Sequence, residues 1–283
     1  MAIISNPQET SAPPPGLTRY GLFSAATVSD DLGPREIASG FQFPAEDCGT
    51  VRPYDATCVR PFDEKTFDEG LGYQEADPYW VYATRQCGAV GTSAGAMEAS
   101  VRRRLASGEQ RAVEEQLWGG GTLATDPQLT TAVGVTTVVP TAVGSSAAIA
   151  ALEDAFYDTY GYVGTIHISM RAYGNLAYGN MLERRSGQLT TPMGSVWSIG
   201  AGYGITGPLG VAPAAGNVWA FMTPPVLIRR SSVITPPGVA TLDRSTNQFM
   251  ALAERVYAHT WACDSVFAVE VPIVAPAVVS VVV

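Results

Sequence analysis

The apolar and polar positions along the chain predict several helices and strands, and the strongest pattern is a helix from Ser93 to Trp118. Ser93 is a suitable N-cap, and three glycines from Gly119 end the pattern. Apolar or small residues recur at helical spacing at Met97, Val101, Leu105, Gly108, Ala112, Val113 and Leu117. This narrow stripe favours a helix that lies across a sheet rather than a coiled coil.

The other face of this helix is charged and predicts contact with solvent or with a neighbouring molecule. It carries Glu98, Arg102, Arg103, Arg104, Glu109, Arg111, Glu114 and Glu115. Arg111 and Glu115 are spaced for an i,i+4 ion pair.

Shorter patterns predict the remaining elements. Helices are predicted over Ser145–Tyr160 and Ala172–Arg185. Strands are predicted over Val133–Val139, Val163–Ser169, Thr191–Ile199, Asn217–Thr223 and Val226–Ser231, with a paired strand over Asn247–Val271 that turns near Cys263. Helices and strands alternate irregularly, which indicates an α+β fold.

The segment from Gly40 to Val90 has no helical stripe. Phe41 and Phe43 alternate at one end, and Trp80 and Tyr82 alternate at the other, which predicts an extended hairpin with a long polar middle. A loop of this length is unusual in a compact monomer. We therefore expect a partner chain to supply the surface on which it packs.

The composition changes this picture in two respects. The chain is 46% hydrophobic but only 15% charged, which favours oligomerisation, although a GC-rich genome would give a similar composition. The net charge is −9, so there is no overall basic surface for nucleic acid. For the triplet Arg102, Arg103 and Arg104, this charge favours pairing between subunits over contact with phosphates.

No membrane span is predicted, because the chain has no uninterrupted apolar run of about 18 residues. Met1–Gly16 has no charged start and no apolar stretch, so we expect no signal peptide. The four cysteines form no C-x-x-C pair, and we expect reduced, partly buried thiols. A disulfide between Cys48 and Cys58 is the alternative.

No catalytic, cofactor-binding or metal-binding residue is predicted. The two histidines, His167 and His259, lie in predicted strands without a nucleophile motif nearby, and local hydrogen bonding is the expected role. The glycine-rich Gly200–Gly204 is followed by prolines rather than by a helix, so it predicts a turn and not a dinucleotide loop. The acidic pairs near Lys65 lack the ligand spacing of a calcium loop.

The order of the elements is more informative than any single motif. An N-terminal arm and a long loop precede the charged helix, which ends in Leu117-Trp118-Gly119-Gly120. The segments that follow are Leu152-Glu153, Gly164-Thr165-Ile166-His167, Gly187–Gly194, Asp243–Gln248 and Val269–Pro272. From about Tyr20 onwards this order resembles the major capsid proteins of tailed bacteriophages, the Hong Kong 97-type capsid fold, especially those of phages that infect actinobacteria.

The resemblance implies a division of the chain into four parts. Residues 1–39 would form the N-terminal arm, and residues 40–90 would form an extended loop that lies over a neighbouring subunit. Residues 91–134 and 241–283 would form a peripheral domain, with its spine helix over 93–118. Residues 135–240 would form an axial domain, which gathers at fivefold and sixfold axes.

The resemblance also implies a function without catalysis. The chain would assemble into pentamers and hexamers of an icosahedral shell around double-stranded DNA, without sequence-specific DNA contacts, and without a cofactor or a membrane. It would be located in the virion after assembly in the host cytoplasm, with scaffolding, portal or decoration proteins as further partners. The candidate interface residues are Lys65, Arg102, Arg103, Arg104, Arg111 and Glu115. Some relatives crosslink a loop lysine to an asparagine, but nothing indicates a partner for Lys65, and no crosslink is expected.

Three alternatives remain at this stage. An encapsulin-type nanocompartment would share the fold and enclose enzymes instead of DNA. A tail-tube or head-completion protein is usually shorter and more purely β. A hydrolase or binding enzyme would use His167 together with one of the cysteines, although no motif supports it.

Overall fold

The computed structural model describes residues 18–44, 72–88, 93–119, 127–132, 134–235, 241–243, 245–263 and 265–273, together with Gly16, Cys48 and Val51. Within these ranges the helices are α1 (Leu22–Ala25), α2 (Pro34–Ser39), α3 (Ala94–Gly119), α4 (Ser145–Tyr160) and α5 (Tyr173–Tyr178). A 3-10 turn, Met170–Ala172, precedes α5, and a second one covers Pro208–Gly210.

The described strands form two larger sheets and one short hairpin. They are β1 (Thr27–Ser29), β2 (Phe41–Pro44), β3 (Tyr73–Ala76), β4 (Tyr79–Gly88), β5 (Thr136–Thr137), β6 (Thr165–Ser169), β7 (Glu183–Arg185), β8 (Gln188–Thr190), β9 (Val196–Gly200), β10 (Asn217–Thr223), β11 (Val226–Arg230), β12 (Thr241–Asp243), β13 (Gln248–Trp261) and β14 (Phe267–Pro272).

The first sheet has five strands and carries α3 on one face. Its path is β1-β11-β13-β12, and β4 pairs with β13 from Gly88 opposite Gln248 to Tyr79 opposite Tyr257. The apolar stripe of α3 shares one core cluster with the inward side chains of β4 and β13. Because side chains alternate across a strand, the outward residues of β4 and β13 lie on the face of the sheet away from α3.

The second sheet has seven strands in the order β5-β14-β10-β6-β9-β8-β7. Its centre is almost wholly buried, and every residue of β6 is inaccessible to solvent. Ile149, Leu152 and Phe156 of α4 pack with Ile166 and Ile168 of β6 in a second core cluster. The helix α4 therefore stabilises this sheet through its apolar face, as its sequence pattern predicted.

Two of the three predicted helices are confirmed nearly at full length. The helix predicted over residues 93–118 is α3, and the helix predicted over Ser145–Tyr160 is α4. The prediction of a helix over Ala172–Arg185 is wrong in its second half, because α5 ends at Tyr178 and β7 begins at Glu183. Asn180 adopts a positive φ of 55°, a conformation that no α-helix continues through.

The predicted strand pair over Asn247–Val271 is only partly correct. Both strands exist as β13 and β14, but β13 pairs within the five-stranded sheet while β14 pairs with β10 in the other sheet. Conversely, β11 lies in the predicted axial segment and pairs with β13. Strand pairing therefore joins β11, which precedes residue 240, to β13, which follows it.

The hairpin prediction is confirmed at its base. Phe41–Pro44 pairs antiparallel with Tyr73–Ala76. The strand that contains Trp80 and Tyr82 is instead β4 of the five-stranded sheet. Most of the predicted polar middle, including Lys65 and Cys58, lies outside the described residues.

A disulfide links the long loop to the connection between β13 and β14. Cys48 bonds to Cys263, 215 residues later, with their Cα atoms 5.5 Å apart. The expectation of reduced thiols, and its alternative of a Cys48–Cys58 disulfide, are both wrong for Cys48. Spacing in sequence favoured the near cysteine, whereas the fold brings the distant one into bonding distance.

We predict that removing this disulfide destabilises the subunit strongly, because it closes a very long loop in the unfolded chain. Cys48→Ala should lower the free energy of unfolding by about 3–5 kcal/mol, measured by urea unfolding of unassembled subunits. Cys87→Ala, on β4, is the comparison and should cost less than half as much. Labelling of Cys48 by a thiol reagent before reduction would contradict the bond.

Candidate functional site

His167 is fully buried in β6 and both of its ring nitrogens are hydrogen bonded. Nδ1 lies 3.1 Å from the Tyr203 hydroxyl, and Nε2 lies 3.0 Å from Thr223 Oγ1. The Thr223 hydroxyl donates to the Pro224 carbonyl, so it accepts from Nε2, and Nδ1 then accepts from Tyr203. Burial lowers the pKa of His167 to about 3. The imidazole is neutral and has no free nitrogen to act as a base.

His259, in β13, is satisfied in the same way. Its Nε2 donates to the Pro127 carbonyl at 2.8 Å, so Nδ1 accepts from the Tyr79 hydroxyl at 3.0 Å. Burial lowers the pKa of His259 to about 4. The prediction that both are locally bonded strand histidines is confirmed. Within the described ranges, no three His, Cys, Asp or Glu side chains are grouped as metal ligands.

The glycine-rich segment Gly200–Gly204 is the predicted turn, and its glycines allow close packing against α3. A Cβ at Gly202 would lie 2.2 Å from the Arg111 carbonyl oxygen, and one at Gly204 would lie 2.8 Å from Trp118 Nε1. Trp118 also packs edge-on against Phe221, with ring centroids 4.9 Å apart. The lack of a side chain at these glycines therefore allows α3 to pack closely against the segment that follows β9 of the seven-stranded sheet.

Two glutamates that the helical pattern placed on the charged face of α3 are in fact buried. Glu109 accepts hydrogen bonds from Arg255 Nη1 at 3.1 Å and from the Tyr257 hydroxyl at 2.7 Å. Glu114 accepts from the backbone N–H of Leu22 at 3.1 Å and of Gly202 at 3.0 Å. Burial raises the pKa of Glu114. The periodicity of one helix could not show that α1 and the turn after β9 cover this side.

The candidate interface residues on α3 lie on its exposed side. Arg111 pairs with Glu115 at 2.9 Å, which confirms the predicted i,i+4 contact. Arg102 pairs with Glu98 at 2.9 Å, and Arg104 donates to the Thr84 carbonyl at 3.1 Å.

Arg103 is also exposed, and no ion pair joins it to another residue that the structure describes. Exposed pairs such as Arg111–Glu115 contribute at most about 1 kcal/mol each. These arginines are therefore free to change partners at low cost. Lys65, the remaining candidate, lies outside the described residues.

Besides the exposed side of α3, the outward face of the five-stranded sheet is a candidate contact surface that the sequence did not predict. It presents Trp80 and Tyr82, next to each other on the same face of β4, and Met250 farther along, opposite Gln86. All three are exposed, and Tyr82 is 67% exposed. Exposed apolar groups of this size mark contact surfaces when they lie together. The alternation of residues along β4 indicates this face in the sequence, because Tyr79 and Val81 are buried while Trp80 and Tyr82 are exposed.

Comparison with known proteins supports the fold but adds no relative in sequence. No protein-family profile matches the chain, and no curated protein matches it. Among solved structures, the capsid of a native GTA particle is 13% identical with a TM-score of 0.57, covering 95% of this chain and 96% of the other.

Two further structures come from named phages. A chain from Mycobacterium phage Ogopogo is 13% identical with a TM-score of 0.54, over 94% of this chain and 96% of the other. The capsid of Ralstonia phage GP4 is 10% identical with a TM-score of 0.51, over 97% of each chain. The chain therefore has the predicted α+β, Hong Kong 97-type capsid fold. No described helix is long and apolar enough to cross a membrane.

We predict that Glu114 holds α1 and the turn after β9 against α3. Glu114→Ala would leave buried N–H groups unpaired and should lower the free energy of unfolding at pH 7 by about 2–4 kcal/mol. Amide exchange should accelerate first at Leu22 and Gly202. Glu115→Ala, one residue along on the exposed side, should change stability by less than about 1 kcal/mol. Equal effects of the two variants would contradict the assignment.

We predict that the buried histidines make the subunit less stable in weak acid. In the unfolded chain the histidines have their usual pKa near 6.5 and become protonated when the pH falls below it. In the folded chain the pKa is about 3 for His167 and about 4 for His259. Stability is therefore complete above pH 6.5 and falls as the pH decreases, by about 2 kcal/mol per histidine at pH 5. Denaturant unfolding at pH 7 and pH 5 measures this, and His259→Gln should remove about half of the pH effect.

Proposed function

We propose that this chain is the major capsid protein of a tailed phage, which assembles into an icosahedral head around double-stranded DNA. The observation that carries the proposal is the whole-chain fold match to capsid chains, at 95–97% coverage of this chain for the GTA and Ralstonia phage GP4 capsids.

The surface chemistry supports assembly. Only 15% of the residues are charged, and the five-stranded sheet exposes a row of large apolar side chains opposite α3. Burial of such a row against a neighbour removes apolar area from water, at about 25 cal/mol per Å². The exposed arginines of α3 offer bidentate partners for carboxylates of the next subunit.

The same surface disfavours tight adhesion to DNA. The net charge is −9, so the field of the whole subunit repels phosphates. A head protein that encloses DNA without reading its sequence has no need for base contacts. Scaffolding, portal or decoration proteins would be additional partners. Assembly would take place in the host cytoplasm, and the protein would then be located in the virion.

Within this proposal the two sheets correspond to the two domains. The five-stranded sheet with α3 would be the peripheral domain, and the seven-stranded sheet with α4 and α5 would be the axial domain. The boundary then follows strand pairing, so that β11 is peripheral and β14 is axial. The arm over residues 1–39 and the loop over residues 40–90 would contact neighbours.

The other functions considered receive no specific support. The enzyme hypothesis needs His167 as a base, and both of its nitrogens are engaged in hydrogen bonds. No described feature favours a nanocompartment that encloses enzymes.

We predict that the purified protein assembles into closed shells of uniform diameter. Negative-stain electron microscopy and light scattering over a concentration series measure this directly. Tyr82→Asp, which places a charge on the exposed apolar row, should raise the concentration needed for assembly by about tenfold or more, with unchanged circular dichroism. A protein that stays monomeric at all concentrations and salt conditions would overturn the proposal.

A further inference from the structure

A small apolar pocket opens beside α4, near the start of β6. Its main lining residues are Ala150, Glu153, Tyr157, Val163, Met193 and Ser195, and its volume is about 260 Å³. Pockets that hold small-molecule ligands usually measure about 300–1,000 Å³. This pocket is therefore suited to one large side chain rather than to a metabolite. Its rim is itself exposed and apolar, with Met193 74% exposed.

The pocket contains a buried hydroxyl without a partner. Ser195 is fully buried, and its Oγ makes no hydrogen bond to any other described residue. An unpaired buried polar group costs about 1–3 kcal/mol, so a guest with a polar tip would be favoured. Ser195 itself has no accessible surface, so a guest hydroxyl would reach it only after the lining side chains move. Tyrosine combines an apolar ring with a terminal hydroxyl that can donate or accept, which suits such a site.

The pocket also has an acidic edge. Asp154 lines it, and Asp158 follows one turn later on α4; both are exposed. Neither aspartate forms an ion pair within the described part of the chain. Two like charges at i,i+4 repel each other. A cation that arrives with the guest would relieve this repulsion.

The opposite end of β6 carries the complementary features. The strand runs from Thr165 to Ser169, so the Cα atoms at its two ends are about 13 Å apart. Beyond Ser169, the 3-10 turn and α5 form a corner at which Tyr178 is 77% exposed. Arg171, in the 3-10 turn that precedes α5, is also exposed, and no described residue forms an ion pair with it.

We propose that the pocket beside α4 receives Tyr178 from a second copy of the chain, while Arg171 of that copy pairs with Asp154. The inference rests on the proposed shell function and deepens it, because it names the contact between adjacent subunits. The two surfaces differ and lie at opposite ends of one strand, so the contact is head-to-tail. Repeated with a rotation, such a contact closes into a ring.

A charge-swap cycle tests the ion pair. Arg171→Asp and Asp154→Arg should each raise the concentration needed for assembly at least tenfold, because each places like charges together. The combined variant should return to within about threefold of the wild-type value. Arg185→Asp, the same change on the exposed strand β7, is the matched control and should assemble normally.

A crosslink tests the position of Tyr178 independently of charge. Tyr178→Cys combined with Met193→Cys should form disulfide-linked oligomers on mild oxidation, whereas each single variant should form far fewer. If the wild type forms shells but the pair does not crosslink and the cycle shows no rescue, the contact is wrong and the shell function stands. If the wild type never assembles, both proposals fall.

Discussion

The packing of the apolar side of α3 against both sheets is the constraint on which the rest of the structure depends. Its first half lies on the five-stranded sheet through Met97, Val101 and Leu105. Its last turn reaches the other sheet, where Trp118 meets Phe221 with ring centroids 4.9 Å apart. One rigid helix of 26 residues thus sets the relative placement of both cores. A change in its register would disturb both at once.

Charge inside this contact fixes the orientation of the helix. Glu109 faces Arg255 and Tyr257 of the five-stranded sheet, whereas Glu114 faces the backbone of α1 and of the turn after β9. A buried carboxylate is costly unless its partners are placed correctly. Apolar packing alone would permit small rotations of α3 about its axis. The two glutamates, five residues apart, penalise such rotations, because each would lose its donors.

The outer surfaces are organised in the opposite way. The exposed Trp80 and Tyr82 of β4, the exposed arginines of α3 and the pocket beside α4 have few partners among the residues that the structure describes. These features contribute little to the stability of one subunit, so they are available for contacts between subunits. The described structure therefore divides into an interior in which most buried polar groups are paired and outer surfaces that are less complete.

The sequence by itself determined the local elements and the general class of the fold. The spacing of apolar residues located α3 and α4, the glycines after Trp118 ended α3, and alternation located β6, β10 and β11. The sequence contains no nucleophile or phosphate-binding motif and so predicts no catalytic site. These features are local, because they depend on backbone periodicity and on residues within one or two turns.

Only the tertiary structure decided which distant segments meet. It placed Cys48 against Cys263 rather than Cys58, and it assigned β13 and β14 to different sheets. It also buried Glu109 and Glu114, although the sequence pattern places both on the polar face of the helix. No periodicity contains this information, because hydrogen-bond donors from α1, β13 and the turn after β9 come from far along the chain. Burial is a property of what surrounds a residue, and for a single helix the sequence indicates only which face is apolar.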